Sequence, residues 1–293
     1  MYCFDARFYF GWDSGSGHRS RSRARLNFRN QLNKEKNMEM PVNKFKKAIS
    51  SNTLQLGIWS SLADSISVEI LANTGMDWIL LDTEHAPNEL PMVFRQLQAI
   101  DSGTAHPIVR PPWNDTVMIK RFLDAGAQSL LIPMVQNAEE ARRAVAATRY
   151  PPHGVRGYAS GSRASGYAQI NGYFDRYMAE ICVLVQIETK VALENIESIA
   201  AVEGVDGIFI GPGDLSADLG YLGKPGHPEV LRIIDAAIAR IKASGKPAGI
   251  LTGDESQAQH FIEQGCLFVA VGSDIGLLSK GAKTLVQNLG RRA

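Results

Sequence analysis

The sequence predicts an α/β fold, a closed (β/α)8 TIM barrel, and three observations predict it. Eight short runs rich in Ile, Leu and Val alternate with eight longer stretches of helical period, the pattern of parallel strands joined by crossover helices. No strand is followed by the Gly-rich dinucleotide fingerprint that an open doubly wound sheet would carry at its switch point. Polar and charged residues gather where the apolar runs end, and in such barrels that rim holds the chemistry.

The apolar runs at residues 56–59, 78–82, 108–110, 129–133, 183–188, 207–211, 248–251 and 267–272 read as the strands. Helices are expected over 65–74, 90–100, 116–124, 138–148, 192–201, 228–243, 256–264 and 277–289. Asn114 and Asn137 stand where N-caps belong, and Gly75, Gly126, Gly245 and Gly265 where helices stop. One connection, residues 151–173, is long, irregular and rich in Gly and Ser. A loop of that length in a compact barrel is usually functional.

Length and composition set the outer limits. A chain of 293 residues with 45% hydrophobic content suits one barrel of about 250 residues with a full core. Net charge is +1, which gives no reason to expect a nucleic-acid partner. Apolar runs all fall short of the roughly 18 residues a bilayer span needs, so no membrane partner is expected. Of three cysteines, Cys182 and Cys266 sit in apolar runs and Cys3 stands alone; the expectation is a reduced, cytoplasmic protein without a disulfide framework. Residues 1–40 carry eight Lys/Arg against four acidic residues, net +4, leaving the remainder at −3. Their Gly/Ser/Arg-rich stretch lacks any period, so they read as a disordered extension ahead of a single domain over 41–293.

The strand ends supply the candidate site. Strand two runs into Asp82-Thr83-Glu84-His85, strand three into Arg110, strand five into Gln186-Ile187-Glu188, and strand six into Gly211-Pro212-Gly213-Asp214. Each has a structural alternative: Asp214 as a helix cap, His85 as a loop histidine, Arg110 as an ion-pair partner of Asp82 or Glu84. Occurring together they point to function, because charges on a buried rim are costly without a partner or a task. Glu188 and Asp214 end consecutive strands and can converge on one cation. Two carboxylates with open positions suit Mg2+ or Mn2+ (Co2+ or Zn2+ as alternatives), acting as a Lewis acid on a chelating 2-oxo acid.

In order and spacing these motifs resemble the HpcH/HpaI family of class II pyruvate aldolases, which includes 4-hydroxy-2-oxoheptanedioate and 2-dehydro-3-deoxyglucarate aldolases. The matching stretches include Gly57-Ile58-Trp59, Glu84-His85-Ala86-Pro87-Asn88, Val109-Arg110-Pro111, Gly154-Val155-Arg156-Gly157, Val185-Gln186-Ile187-Glu188, Gly211-Pro212-Gly213-Asp214 and Val271-Gly272-Ser273-Asp274. The resemblance implies reversible cleavage of a 4-hydroxy-2-oxo acid to pyruvate and an aldehyde. It assigns the metal to Glu188 and Asp214, substrate binding to Gln186, Gly213, Asp214 and Trp59, and enolate stabilisation to Arg110. His85 becomes the general base, with Asp82 and Asp124 the carboxylates that orient it, while Arg156 and the loop after it shape the aldehyde side. A homo-oligomer, a hexamer with the last helix swapped between subunits, is implied as well; the apolar positions Leu277, Leu278, Leu285 and Leu289 could equally cover the chain's own barrel. Thr83 and Gly213 depart from the family's commoner residues, which bears on the acceptor aldehyde. Three other readings stay open: a Schiff-base aldolase using Lys190, an acyl-CoA lyase of the same superfamily, and a non-catalytic metabolite-binding barrel.

Overall fold

Eight parallel strands close on one another in sequence order, β8 pairing back onto β1. The structure is a computed structural model and describes residues 38–290; the extension expected before residue 38 lies outside the described residues. In chain order the elements are α1 (Lys44–Ser50), β1 (Gln55–Ser60), α2 (Ser65–Ala72), β2 (Trp78–Asp82), α3 (Leu90–Ile100) and β3 (His106–Arg110). There follow α4 (Thr116–Asp124), β4 (Ser129–Ile132), α5 (Ala138–Thr148), α6 (Tyr173–Glu180), β5 (Cys182–Ile187), α7 (Lys190–Glu194) and α8 (Ile196–Ala200). The chain closes with β6 (Gly207–Ile210), α9 (Pro212–Asp218), α10 (Pro228–Ala243), β7 (Ala248–Leu251), α11 (Glu255–Gln264), β8 (Phe268–Ser273) and α12 (Asp274–Asn288).

The strands are buried on both faces, which is why they read as continuous apolar runs rather than alternating ones. One face packs outward on the helices through residues such as Ile79, Val109, Val185 and Ile208. The other fills the barrel with Trp59, Trp78, Leu80, Ile108, Leu131, Leu184, Phe209 and Phe268. Aromatic rings of this size fit because small residues face them: a Cβ on Gly249 would lie 2.1 Å from the Phe268 ring. Helix α1 seals the base. Its buried Phe45 sets its ring 6.0 Å from Trp78, 5.8 Å from Phe268 and 6.0 Å from His106. Asn43 caps α1 and also donates to Ser129 Oγ, tying the plug to β4. His106 is held there in its neutral form, since burial, aided by Lys44, lowers its pKa to about 4.

The structure differs from expectation in four places. The cap of α4 is Asp115, whose Oδ1 accepts from the Met118 amide at 2.8 Å, while Asn114 instead donates to the Glu140 carbonyl. The helix expected over 192–201 is broken into α7 and α8 at Asn195, whose side chain donates to the Gln136 and Val191 carbonyls. The long connection ends in a helix, α6, that no side-chain cap announces. Finally, α12 does not cover its own barrel: Leu277, Leu278, Leu285 and Leu289 are 52%, 64%, 65% and 82% exposed. Its first residue, Asp274, is buried and accepts from the Ser60 hydroxyl and the Ser61 and Leu62 amides, fixing the helix to the exit of β1.

Candidate active site

Parallel strands deliver all their C-terminal ends to one pole, so the residues just past each strand face a common space. The exits of β2 and β3 are paired in register, Asp82 opposite Arg110. The buried Asp82 carboxylate takes Arg110 end-on, Nε to Oδ1 at 2.9 Å and Nη2 to Oδ2 at 2.7 Å, a bidentate geometry that fixes the guanidinium plane. Glu84 approaches the remaining edge, its Oε2 3.0 Å from Arg110 Nη1. Trp59, from the end of β1, stacks under the guanidinium with 5.3 Å from Cζ to the ring centroid. Thr83 locks this corner by donating its hydroxyl to the Arg110 carbonyl at 2.6 Å.

Across the rim, Gln186 at the end of β5 donates Nε2 to Glu188 Oε2 at 2.5 Å, and the Met134 amide donates to Oε1 at 2.9 Å. Met134 presents that amide from a left-handed backbone, φ 53°, a conformation uncommon for a residue with a side chain. Gly211 makes room: a Cβ there would lie 2.3 Å from Glu188 Oε2. It is also the residue before the first turn of α9, which carries Asp214. Asp214 is therefore an exposed first-turn acid and not the cap of its helix. At Gly213 a side chain would meet open space, so that departure from the family's commoner residues leaves the site wider.

Electrostatics identify what these carboxylates lack. Burial raises the pKa of Glu188 to about 7, against the bonds from Gln186 and Met134, with Glu84 and Asp214 adding like charge. Burial likewise raises Glu84 to about 7, opposed by Arg110 and reinforced by Asp82 and Asp214. Four carboxyls thus face one space holding a single guanidinium that two of them already use. Buried and without a hydrogen-bond partner are Glu84 Oε2 and Gln186 Oε1. A divalent cation would relieve this imbalance, and the donors fit one: Glu188 and Asp214 with the rest of the shell left to water and substrate oxygens, as Mg2+ prefers. Among the described residues no group of three or more His, Cys, Asp or Glu forms a candidate metal site.

The residues expected at the site do not all meet. Trp59, Asp82, Glu84 and Arg110 form one connected group, and Gln186 with Glu188 a second. His85 sits at the outer lip with its side chain 63% exposed, its Nε2 3.9 Å from Glu84 Oε2. Two expectations about its neighbours need correction. Asp82 spends its carboxylate on Arg110 and on the amides of Glu84 and His85, not on the imidazole. Asp124, at the end of α4, pairs within the chain with Arg156 at 2.7 Å. Arg156 is itself fully buried, stacked 4.5 Å over Tyr150. Lys190 is an exposed residue at the head of α7, which offers no buried amine for a Schiff base. A cavity of about 720 Å³ opens at the opposite pole, lined by Ile49, Asp206, Lys242, Lys246 and Leu267 among others, and includes none of these groups.

Comparisons with known proteins show the family of the chain. Residues 55–281 match the family described as HpcH/HpaI aldolase/citrate lyase. A 4-hydroxy-2-oxo-heptane-1,7-dioate aldolase of Salmonella dublin is 54% identical over 249 residues, 85% of this chain and 95% of the relative. Among solved structures, a HpcH/HpaI aldolase/citrate lyase family protein from Burkholderia cenocepacia J2315 superposes with TM-score 0.82 at 35% identity, covering 85% of this chain and 99% of that one. An HpcH/HpaI aldolase from Desulfitobacterium hafniense DCB-2 gives 0.78 at 30% identity, covering 85% and 97%.

Proposed function

Because the chain belongs to the HpcH/HpaI aldolase/citrate lyase family, we propose that it is a divalent-metal-dependent lyase cleaving 4-hydroxy-2-oxo acids reversibly to pyruvate and an aldehyde. The observation that carries this reading is the pairing of a cation-seeking carboxylate, Glu188, with a fixed guanidinium, Arg110, across one barrel mouth. Glu188 and Asp214 would hold Mg2+ or Mn2+. Bound there, the ion supplies Lewis acidity toward the keto and carboxylate oxygens of a 2-oxo acid.

The remaining steps belong to side chains. Gln186 and the amides at Gly213 and Asp214 orient the substrate carboxylate, and Trp59 floors the pocket. His85 takes the proton of the 4-hydroxyl, imidazole being the side chain best matched to general-base work near neutral pH. As that O–H pair becomes the aldehyde carbonyl, the C3–C4 bond breaks and its electrons pass into the enolate of pyruvate. Arg110, already held on two edges, directs its remaining N–H groups at the developing negative charge, and a preorganised donor of this kind costs no rearrangement at the moment of reaction. Protonation at C3 then gives pyruvate.

The Salmonella relative's name supports 4-hydroxy-2-oxoheptane-1,7-dioate as the substrate over 2-dehydro-3-deoxy-sugar acids. The exposed leucines of α12 support a homo-oligomer, a hexamer in which this helix packs on a second copy. A cytoplasmic setting is part of the same reading, consistent with the buried free thiols Cys182 and Cys266. The test is a coupled pyruvate-release assay over a panel of 4-hydroxy-2-oxo acids. Activity should vanish in EDTA and return with Mg2+ or Mn2+; full activity in chelator, or no pyruvate from any of the panel, overturns the reading.

A further inference from the structure

We propose that Asn88 and Gln96 form a buried clamp on the turn that carries His85, and that Asn88 is a positioning residue for that histidine. The inference rests on the reading above in which His85 takes the proton of the 4-hydroxyl. The His85 ring is mostly exposed, so where it stands depends on the backbone of residues 83–88, which belongs to neither strand nor helix. That backbone is secured at both ends. Upstream, Asp82 Oδ1 accepts from the amides of Glu84 at 3.0 Å and His85 at 3.4 Å. Downstream, the amide of the buried Asn88 donates to the Ala86 carbonyl at 2.7 Å, and its side-chain Nδ2 donates to Gln96 Oε1 at 2.9 Å. Gln96 is fully buried and shares the inner face of α3 with Val93, Leu97 and Ile100. Its Nε2 donates to the Asp64 carbonyl at 3.4 Å, where α2 begins.

Stability gives little reason for such a pair. Two buried amides that bond to each other have each given up water, so their net gain is small, and apolar groups of the same shape would serve about as well. Asn88 Oδ1 is, besides, buried without a partner, which costs the folded state further. What a directional bond adds over an apolar contact is a single allowed arrangement. The stretch between the two anchors is short, His85-Ala86-Pro87, and the proline ring fixes its own φ. Clamping Asn88 therefore sets where the imidazole stands. Asn88 is not the cap of the helix that follows: α3 begins after Glu89, whose side chain makes no capping bond, and the Asn88 side chain reaches past the first turn to Gln96. The bonds of these two amides run to each other and to Asp64, so the clamp bears on the base and not on Arg110 or Glu188.

Asn88→Leu, similar in size and without hydrogen-bonding groups, removes the clamp while keeping the space filled. At saturating Mn2+ the wild-type protein is first shown to release pyruvate from a 4-hydroxy-2-oxo acid, and His85→Ala to lose that activity. Failure of the first step overturns the aldolase reading, failure of the second the assignment of the base, and either takes the proposal with it. In N88L the cleavage kcat should then fall about tenfold, the scale of loss expected from a base displaced by a fraction of an ångström. Oxaloacetate decarboxylation, which yields the same enolate with no hydroxyl to deprotonate, should stay within about threefold of wild type. Amide hydrogen exchange over residues 83–88 should quicken about tenfold while β2 keeps its protection. Gln96→Leu should reproduce these effects, and the double variant should add little to either single one, because the two amides act as a unit. Asn88→Asp keeps an acceptor to which a turned-over Gln96 amide can donate, and should recover most of the cleavage rate. Cleavage that stays within about threefold of wild type in both leucine variants overturns the proposal. An equal fall in the two reactions does so too, because it would place the effect on the barrel mouth as a whole.

Discussion

The buried state of Glu188 makes metal affinity sensitive to pH over a range where an ordinary carboxylate would be silent. With a pKa near 7 in the metal-free protein, about one molecule in eleven carries Glu188 ionised at pH 6, and about ten in eleven at pH 8. A cation binds the ionised form, so the apparent affinity for Mn2+ should rise about tenfold across that interval. At the ordinary value of 4.5 the same interval would change the ionised fraction by only about 3%. Glu84, also raised to about 7, steepens the response. Stability in chelator runs the other way. Because the folded pKa lies above the unfolded one, the contribution of Glu188 is complete below pH about 4.5 and is lost as pH rises through about 7. The full swing is on the order of 3 kcal/mol. Isothermal titration with Mn2+ at pH 6, 7 and 8, beside unfolding curves in EDTA, measures both. An affinity that changes less than twofold, or a metal-free stability that does not fall between pH 5 and 8, refutes the reasoning.

Three further outcomes follow from the same geometry. Arg110→Lys keeps the charge but loses the two-point grip on Asp82, and kcat/KM for cleavage should drop about 10²–10³-fold in steady-state assays; a loss under tenfold would show that the fork is not needed. Phe45→Ala empties the base of the barrel and should cost about 3–5 kcal/mol in denaturant unfolding, while kcat of the folded fraction stays unchanged because no rim residue moves. Leu278→Glu with Leu285→Glu charges the exposed face of α12 and should reduce the particle mass seen by light scattering during size-exclusion chromatography; an unchanged mass removes this helix from any interface.

The barrel was legible because its strands are buried on both sides, so that apolar runs such as 78–82 and 248–251 coincide with β2 and β7. Boundaries set by strong local signals, such as the Asn137 cap of α5, were equally readable. What the sequence withheld were contacts chosen by tertiary distance. Asn114 and Asp115 are equally good caps by type, and only the reach to Glu140 decides between them. The first turn of α6 carries a left-handed Gly172 and no capping side chain, so nothing local marked it. At the site, residue types and strand ends named Arg110, Glu188 and Asp214. They could not say which carboxylate holds which cation: Asp82 takes Arg110, and Asp124 takes Arg156. The Met134 amide was invisible for a plainer reason: it acts through backbone that any residue possesses.

The sealed base has a practical side. Helix α1 enters the barrel's floor through Asn43, whose amide and side chain are bonded to Glu180 and Ser129 at the N-terminal pole. A fluorophore, surface linker or affinity handle joined at the exposed Glu39 therefore attaches at the pole away from Glu188 and Arg110. Immobilised by that attachment point, the protein would keep its catalytic mouth turned to the solution, which makes this end the one to modify when the enzyme is to be tethered.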